Sequence, residues 1–179
     1  MLFRSYGLFW REDRVHWGSP GRGNEGKLLG ITTYKAGEVN FRNQRAIYAL
    51  YNSSYELVYV GQTGKKGQRL FSRLKSHKYS FEGRFTYFSW FGLDAVGGPD
   101  GERSLVECKP SKPSVNSMLD HLEAVVIAIA EPSQNRQGGR FGDAEYFWQS
   151  YEDPDAEYRK DFDELLERMD TLEKLMRSK

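Results

Sequence analysis

Residues 46–61 read AIYALYNSSYELVYVG, and this stretch decides the fold that the sequence predicts. Residues 46–51 and 57–60 are rich in aromatic and β-branched side chains, which is typical of β-strands. Residues 52–55 between them favour a turn. The stretch therefore predicts two short antiparallel strands joined by a tight connection.

A helix is predicted directly after this hairpin. Residues 61–67 form a basic, glycine-rich loop. Residues 68–79 follow, with Leu70, Phe71 and Leu74 at the spacing of one helical face. We expect that face to point inward.

Two further elements follow along the chain. The strongly aromatic residues 85–91 predict a third strand. Residues 114–130 predict a longer helix, which Pro132 would end. The apolar positions that we expect to face inward on this helix are Leu119, Leu122, Val126, Ile127 and Ala130.

The remaining residues before position 110 are less regular. We expect an N-terminal extension at residues 1–44, with a small hairpin formed by residues 6–10 and 15–17 and a short strand at residues 28–34. Residues 96–103 read as a loop rich in Gly and Pro.

The composition excludes several classes of protein. The chain has 179 residues, 39% of them hydrophobic, which is enough for one domain with a core of its own. Its longest apolar run, residues 124–130, is too short to cross a bilayer, and the charged N-terminus lacks the apolar segment of a secretory signal. The single cysteine, Cys108, excludes an internal disulfide and a Cys-rich zinc site. We therefore expect a cytoplasmic protein without a membrane partner.

Charge is distributed unevenly, although the net charge is only +1. Residues 64–84 contain seven Lys and Arg residues against one acid. Residues 152–179 contain ten acids against six bases. The first segment therefore suits a polyanionic partner, and the second would repel one.

Three groups of residues are candidates for chemistry, and each also has a structural explanation. Glu123 lies among the apolar residues of the longer predicted helix, where an unpaired charge is costly to bury. It is either a carboxylate paired with an arginine or a tyrosine, or a ligand for Mg²⁺. Arg69, Arg73 and His77 share one side of the shorter helix, either as a solvated face or as a clamp for phosphate.

Tyr48 and Tyr59 form the third group, on the two paired strands. Tyrosines in strands usually serve in packing. Beside a cation, however, a phenol with a lowered pKa can take a proton from water. The residues alone leave both explanations open.

Taken in order, these motifs resemble the GIY-YIG endonuclease superfamily. The resemblance covers residues 45–140. It rests on Ala46-Ile47-Tyr48, Tyr59-Val60-Gly61, Arg73 with His77 four residues later, Glu123 and Asn135. The chain departs from the family pattern at Ala46, which replaces a glycine, and in a longer loop before Arg73. That loop makes Arg69 a rival for the role of the arginine.

The resemblance implies an α+β fold, a small three-stranded antiparallel sheet flanked by helices. This nuclease domain would span residues 45–140, between the N-terminal extension at 1–44 and a C-terminal helical extension at 141–179. The implied activity is metal-dependent hydrolysis of DNA phosphodiester bonds, with bacterial defence or restriction as its expected setting. The alternatives are a nuclease of DNA repair or mobile elements, and a catalytically inactive nucleic-acid-binding module.

Each residue of the implied site has a role. Glu123 would hold one Mg²⁺ or Mn²⁺ ion. Tyr48 would be the general base, and Tyr59 would orient the water or the phosphate. Arg73 would stabilise charge on the phosphate, and His77 would relay a proton or bind phosphate.

The remaining implied roles concern DNA binding. The sequence leaves open whether the DNA is single- or double-stranded. Asn135 would fix the loop after the longer helix and contact the substrate backbone. The residues that would bind flanking phosphates are Lys65, Lys66, Arg69, Lys75 and Lys78.

The last segment predicts a further helix, which begins with Asp153 as its cap and Pro154 at the first helical position. Its apolar residues recur in steps of four and three, the pattern of a coiled coil of under three heptads. They are Tyr158, Phe162, Leu165, Met169, Leu172 and Met176. We expect a homodimer through this helix, and packing against the chain's own core is the alternative.

Overall fold

The structure is a computed structural model, and it describes residues 2–18, 26–64, 67–80, 85–109, 113–131, 139 and 141–151. Lys65, Lys66, Asn135 and the predicted helix from Asp153 lie outside these described residues, so their predicted roles stay predictions. Within the described ranges, no helix is long and apolar enough to span a membrane.

Strands outnumber helices in this part of the chain. In chain order the strands are β1 (Ser5–Arg11), β2 (Leu29–Ile31), β3 (Val39–Asn40), β4 (Ala46–Tyr51), β5 (Leu57–Gln62), β6 (Tyr87–Gly92), β7 (Ala95–Gly97), β8 (Ser104–Val106), β9 (Glu145–Tyr146) and β10 (Trp148–Gln149). The α-helices are α1 (Leu70–Ser80) and α2 (Val115–Ala130).

A five-stranded sheet lies at the centre, with the strand order β5-β4-β6-β1-β9. Only the β1–β9 pair is parallel. Alternation along each strand sends neighbouring residues to opposite faces. Tyr48 and Trp90, which are partners in register, point to the face that α1 covers with Leu70 and Leu74. Phe91 points to the other face, which α2 covers. We call these the α1 face and the α2 face.

The predicted three-stranded sheet is wrong, because the sheet takes strands from both predicted extensions. Its three predicted strands are present as β4, β5 and β6, but β1 pairs with β6, and β9 pairs with β1. The reason lies in β6, where five of six residues are buried and both faces carry large aromatic side chains. Such a strand is unsuited to a sheet edge, where its outer backbone groups would lack partners.

The small hairpin predicted for residues 6–10 and 15–17 is also wrong. Residues 6–10 belong to β1, which has a bulge between Gly7 and Trp10. The Trp10 side chain is 2% exposed, and its indole Nε1 donates to the carbonyl oxygen of Phe147 at 3.0 Å. Burial of this large aromatic group, with its polar atom satisfied, favours the sheet over a separate hairpin.

Two smaller sheets occur among the described residues. In one, β2 lies between β10 and β3. In the other, β7 and β8 pair as an antiparallel hairpin. This hairpin includes the first two residues of the loop predicted at 96–103, so the irregular connection is shorter than expected.

Both central helices are confirmed, but the buried side of α2 differs from the prediction. The hydroxyl oxygen of Ser114 accepts a hydrogen bond from the Ser117 amide and caps the start of α2. The residues that α2 buries are His121, Ala124, Val125 and Ala128. Leu119, Leu122 and Val126, which we expected to face inward, are exposed.

The size of the side chains explains why α2 buries a side other than the predicted one. Ala124 and Ala128 allow a close approach to Phe3, Phe91 and Phe141, which form the core on the α2 face. Longer side chains in their place would hold the helix away from these rings. Apolar residues recur at the helical period on two sides of α2. The side with the smaller residues packs against the sheet.

The buried side chain of Gln44 forms hydrogen bonds that link separate segments of the central sheet. The side chain of Gln44 is wholly buried. Its Nε2 donates to the Ser5 hydroxyl oxygen at 2.9 Å and to the Asp94 carbonyl oxygen at 3.0 Å, and its Oε1 accepts from the Asp94 amide at 3.0 Å. Gly92 leaves room for it, since a Cβ there would overlap with the Gln44 amide. The network joins β1, the chain directly before β4 and the chain after β6.

We predict that Gln44→Leu lowers the free energy of unfolding by about 2–4 kcal/mol, because Ser5 and Asp94 lose buried hydrogen-bond partners. Urea denaturation measures this loss. Gln62→Leu, at the exposed end of β5, is the matched control and should change stability by less than about 0.5 kcal/mol. Equal effects of the two substitutions would show that the network does not stabilise the fold.

Candidate active site

The central contact of the candidate site joins Tyr48 to His77. Tyr48 lies in the middle of β4 on the α1 face, opposite Gly61 of β5. His77 lies in the last turn of α1. The Tyr48 hydroxyl oxygen and His77 Nε2 are 2.7 Å apart, and both side chains are buried. The hairpin and the helix, predicted separately from the sequence, thus meet in one hydrogen bond.

Gly61 makes this contact sterically feasible. A Cβ at this position would lie 2.5 Å from Cζ of Tyr48 and 2.7 Å from Cε1 of Tyr59. Real Cβ atoms do not approach other atoms so closely. The glycine of the Tyr59-Val60-Gly61 motif is therefore required here because the Tyr48 ring packs directly against its backbone.

Arg73 is the cation of the cluster. Its Nε donates to the Tyr48 hydroxyl oxygen at 3.3 Å, and its side chain is half-buried. Arg73 and His77 are four residues apart on α1 and therefore share one side of the helix. The Tyr48 hydroxyl thus lies between a guanidinium group and an imidazole.

Electrostatics favour the neutral forms of Tyr48 and His77. Burial lowers the pKa of His77, and the charge of Arg73 lowers this pKa further. Burial raises the pKa of Tyr48, and the hydrogen bond from Arg73 offsets only part of that rise. At neutral pH, Tyr48 and His77 are therefore both neutral, and the tautomer of the imidazole sets which of them donates the hydrogen bond between them.

A role of Tyr48 as general base would be favoured by a lowered pKa, whereas burial raises the pKa of this phenol. A neutral imidazole has a nitrogen lone pair that can accept a proton. The Tyr48 hydroxyl contacts both this imidazole and Arg73. Tyr48 is wholly buried, whereas Tyr59 and Arg73 are half-exposed. The Tyr59 ring centroid is 4.5 Å from that of His77 and 6.1 Å from that of Tyr48. Solvent reaches the cluster at Tyr59 and Arg73.

Arg69 lies one helical turn before Arg73 and faces a different environment. Its carbonyl oxygen accepts from the Arg73 amide at 3.1 Å. Its side chain lines a cleft of about 420 Å³. The other lining residues of this cleft are Asn40, Asn43, Gly67, Asp94, Leu105 and Glu107. Arg69 therefore borders a polar cleft, while Arg73 contacts the tyrosine.

Lys75 and Lys78 have partners within the protein. Lys75 Nζ donates to the Trp17 carbonyl oxygen at 3.1 Å. Lys78 forms an ion pair with Glu12 and lies 5.0 Å from the centroid of the Trp17 ring. Contacts between these lysines and phosphate groups, as the sequence predicts, would compete with these interactions.

Glu123 is exposed on α2, so the expectation that it faces the core is wrong. α2 packs on the α2 face, whereas Tyr48, His77 and Arg73 meet on the α1 face. Among the described residues, no hydrogen bond or ion pair joins Glu123 to this cluster. Its role as a metal ligand stays a prediction.

The donor chemistry limits how a metal ion would bind. Within the described ranges, no three or more His, Cys, Asp or Glu side chains are grouped so that they could hold a metal ion. The Glu123 carboxylate fits Mg²⁺ or Mn²⁺ as a single protein ligand, a mode in which water and phosphate oxygens complete the coordination.

Sequence reasoning missed two contributions to this region. Glu12, in the short 3₁₀ turn after β1, pairs with Lys78 beside His77, and nothing in its local sequence indicates this long-range pair. Asn40 and Asn43 line the cleft beside Arg69. Their position in a short polar segment directly before β4 was a signal that could have identified them.

Comparisons of the chain with models of protein families, with curated proteins and with solved structures find no match. The resemblance to the GIY-YIG superfamily therefore rests on the residues and spacings of the sequence itself.

We predict that Gly61→Ala destabilises the protein by about 1–3 kcal/mol, because the added methyl group displaces the Tyr48 ring. Gly97→Ala is the matched control, since a Cβ there meets only Val106 Cγ2 at 3.1 Å, and it should cost less than about 0.5 kcal/mol. Urea denaturation of both variants measures the difference. A wild-type midpoint for Gly61→Ala would contradict the close packing.

Proposed function

We propose that this chain is a metal-dependent endonuclease that hydrolyses phosphodiester bonds of DNA. The observation that carries the proposal is the hydrogen-bonded cluster of Tyr48, His77 and Arg73, which combines a neutral base, a hydroxyl and a guanidinium group within one small volume. Phosphodiester hydrolysis needs these functions, because a water must lose a proton while negative charge increases on the phosphate.

Arg73 is the proposed transition-state contact. Its guanidinium is half-exposed and held in place by the Tyr48 hydroxyl. A planar guanidinium binds two phosphate oxygens at once and keeps its charge at every relevant pH. Tyr59, on the exposed side of the cluster, orients the attacking water or the phosphate.

His77 is the proposed final acceptor of the proton. As the water oxygen attacks phosphorus, the water proton passes to the Tyr48 oxygen while the Tyr48 proton passes to His77 Nε2. The bond from phosphorus to the leaving oxygen breaks, and the leaving oxygen takes a proton from solvent. Tyr48 keeps one proton throughout, in agreement with its raised pKa. This route requires substrate binding to open access to the buried hydroxyl.

Glu123 is the proposed ligand of a single Mg²⁺ or Mn²⁺ ion. When bound, the ion would supply positive charge to phosphate oxygens beside α2, on the face of the sheet opposite the cluster of Tyr48, His77 and Arg73. Arg69 helps to bind the substrate beside the polar cleft. Lys75 and Lys78 contribute only where phosphate displaces their contacts with Trp17 and Glu12.

A catalytically inactive nucleic-acid-binding module is the second candidate. The complete burial of Tyr48 and the position of Glu123 on the helix of the α2 face favour it. The two candidates differ in a plasmid-nicking assay with Mg²⁺ or Mn²⁺: the nuclease cuts DNA, whereas the inactive module only binds it.

We predict that the wild type nicks plasmid DNA and that Arg73→Ala lowers the rate about 10²–10³-fold, because a transition-state contact is lost. Arg69→Ala is the matched control. It should mainly weaken binding and reduce the salt dependence by about one ion. Equal, mild losses of affinity from both changes would show that neither arginine is catalytic.

We predict an acid limb in the pH profile of kcat/KM, with its midpoint below about 6.5, the ordinary pKa of histidine. Burial and Arg73 lower the pKa of His77, so the neutral base persists into mildly acidic solution and activity is lost only below that range. Cleavage rates between about pH 4.5 and pH 8 measure the limb. If residual activity of His77→Gln keeps the same limb, His77 is not the acceptor.

A further inference from the structure

The exposed side of α2 carries a row of large apolar residues. Val115, Leu119, Leu122 and Val126 are 45–72% exposed, and Met118 beside them is 43% exposed. Within the described ranges this row has no cover. A contiguous apolar stripe of this kind on a soluble protein marks a contact surface.

The spacing of the stripe defines its geometry. Its residues recur in steps of four, three and four, and Ile129 continues the pattern with a step of three. This is the alternation of a and d positions in a heptad repeat, the pattern by which one helix packs along another. With Leu119 and Val126 as a residues, Leu122 becomes a d residue and Glu123 follows it at an e position.

We propose that the segment after Tyr151 folds back as a helix and covers this stripe in an antiparallel pair. Residues 158–176 carry the same steps of four and three, at Tyr158, Phe162, Leu165, Met169, Leu172 and Met176. They are the one other stretch of this sequence with a seam of matching period and sufficient length. The proposal concerns packing and does not depend on the cluster of Tyr48, His77 and Arg73. Its register places Arg159 at Glu123, where it would compete with a metal ion bound there.

The exit point of the chain fixes the direction. The Arg14 guanidinium lies 4.5 Å from the centroid of the Tyr151 ring, just beyond the end of β1. Arg11, the last residue of β1, is in register with Tyr87, and Tyr87 with Tyr51. The Tyr51 hydroxyl donates to the Ile129 carbonyl oxygen at 3.4 Å. The described chain thus ends at the side of the sheet where α2 ends.

The available length suits this arrangement. With the helix beginning at Pro154, three extended steps of about 3.5 Å and one helical turn of about 6 Å separate Tyr151 from Tyr158, so this connection can span about 16 Å. As a helix, residues 158–176 would extend about 28 Å, compared with about 24 Å for the sixteen residues of α2. Because the segment is tethered, its effective concentration at the stripe far exceeds that of a second molecule at micromolar concentration.

Charge selects one register. When Tyr158 packs beside Val126 and Phe162 beside Leu122, the e position of the segment lies opposite the e position of α2. Arg159 then faces Glu123, a pair of opposite charges at the edge of the seam. In the same register Leu165 packs beside Leu119 and Met169 beside Val115.

Hydrogen exchange of the full-length protein, read by mass spectrometry, tests this proposal. We expect the amides of residues 158–169 to exchange at least about tenfold more slowly than those of an unstructured chain. Leu119→Asp with Leu122→Asp should abolish this protection, because the stripe becomes charged. Both residues are exposed in the structure, so the double variant should keep its fold, and protection of β4 checks this.

The reciprocal substitution and its control come from the segment itself. Leu165→Glu should accelerate exchange in residues 115–126, whereas Thr171→Glu, on the side of the segment away from the seam, should not. Light scattering should show a monomer. The proposal is overturned if residues 158–169 lack protection in the wild type, or if protection survives the charged stripe. A dimer whose protection increases with protein concentration would also overturn it, in favour of a second copy as the occupant.

Discussion

The fold depends on one constraint, which is that β6 must be buried on both faces and along both edges. Phe88 and Trp90 belong to the core under α1, and Phe91 belongs to the core under α2. The hydrophobic effect therefore requires a helix on each face, and the backbone requires a strand on each side. β4 supplies one of these strands and β1 the other. Recruitment of β1 brings Trp10 into the core and provides the place where β9 pairs.

The candidate site shows how packing sets proton chemistry. Gly61 lets the Tyr48 ring pack against β5, and α1 covers it, so the phenol and His77 share a buried environment. Burial favours the neutral form of both groups and outweighs the influence of Arg73 on the phenol. The result is a neutral phenol that shares a hydrogen bond with a neutral imidazole. Neither property is visible in the residue types alone.

α2 shows the limit of periodicity as a guide to burial. The apolar residues of this helix occupy two adjacent sides. The sequence pattern does not show which side is buried, because it reports hydrophobicity and not how closely the helix can approach the sheet. Ala124 and Ala128 pack against the sheet because small side chains fit closely under aromatic rings, and the larger residues remain at the surface. That choice also moved Glu123 from the expected core position to the exposed side.

The sequence by itself determined the local elements: the hairpin of β4 and β5, the strand β6, the helices α1 and α2, and the order in which Tyr48, Tyr59, Arg73 and His77 follow one another. These features depend on turn residues, propensity and period, which act over a few positions. Tertiary structure alone decided the five-stranded sheet, the pairing of Lys78 with Glu12, the buried side of α2 and the protonation of Tyr48 and His77. Each of these depends on contacts between residues far apart in sequence, and on the burial that those contacts create.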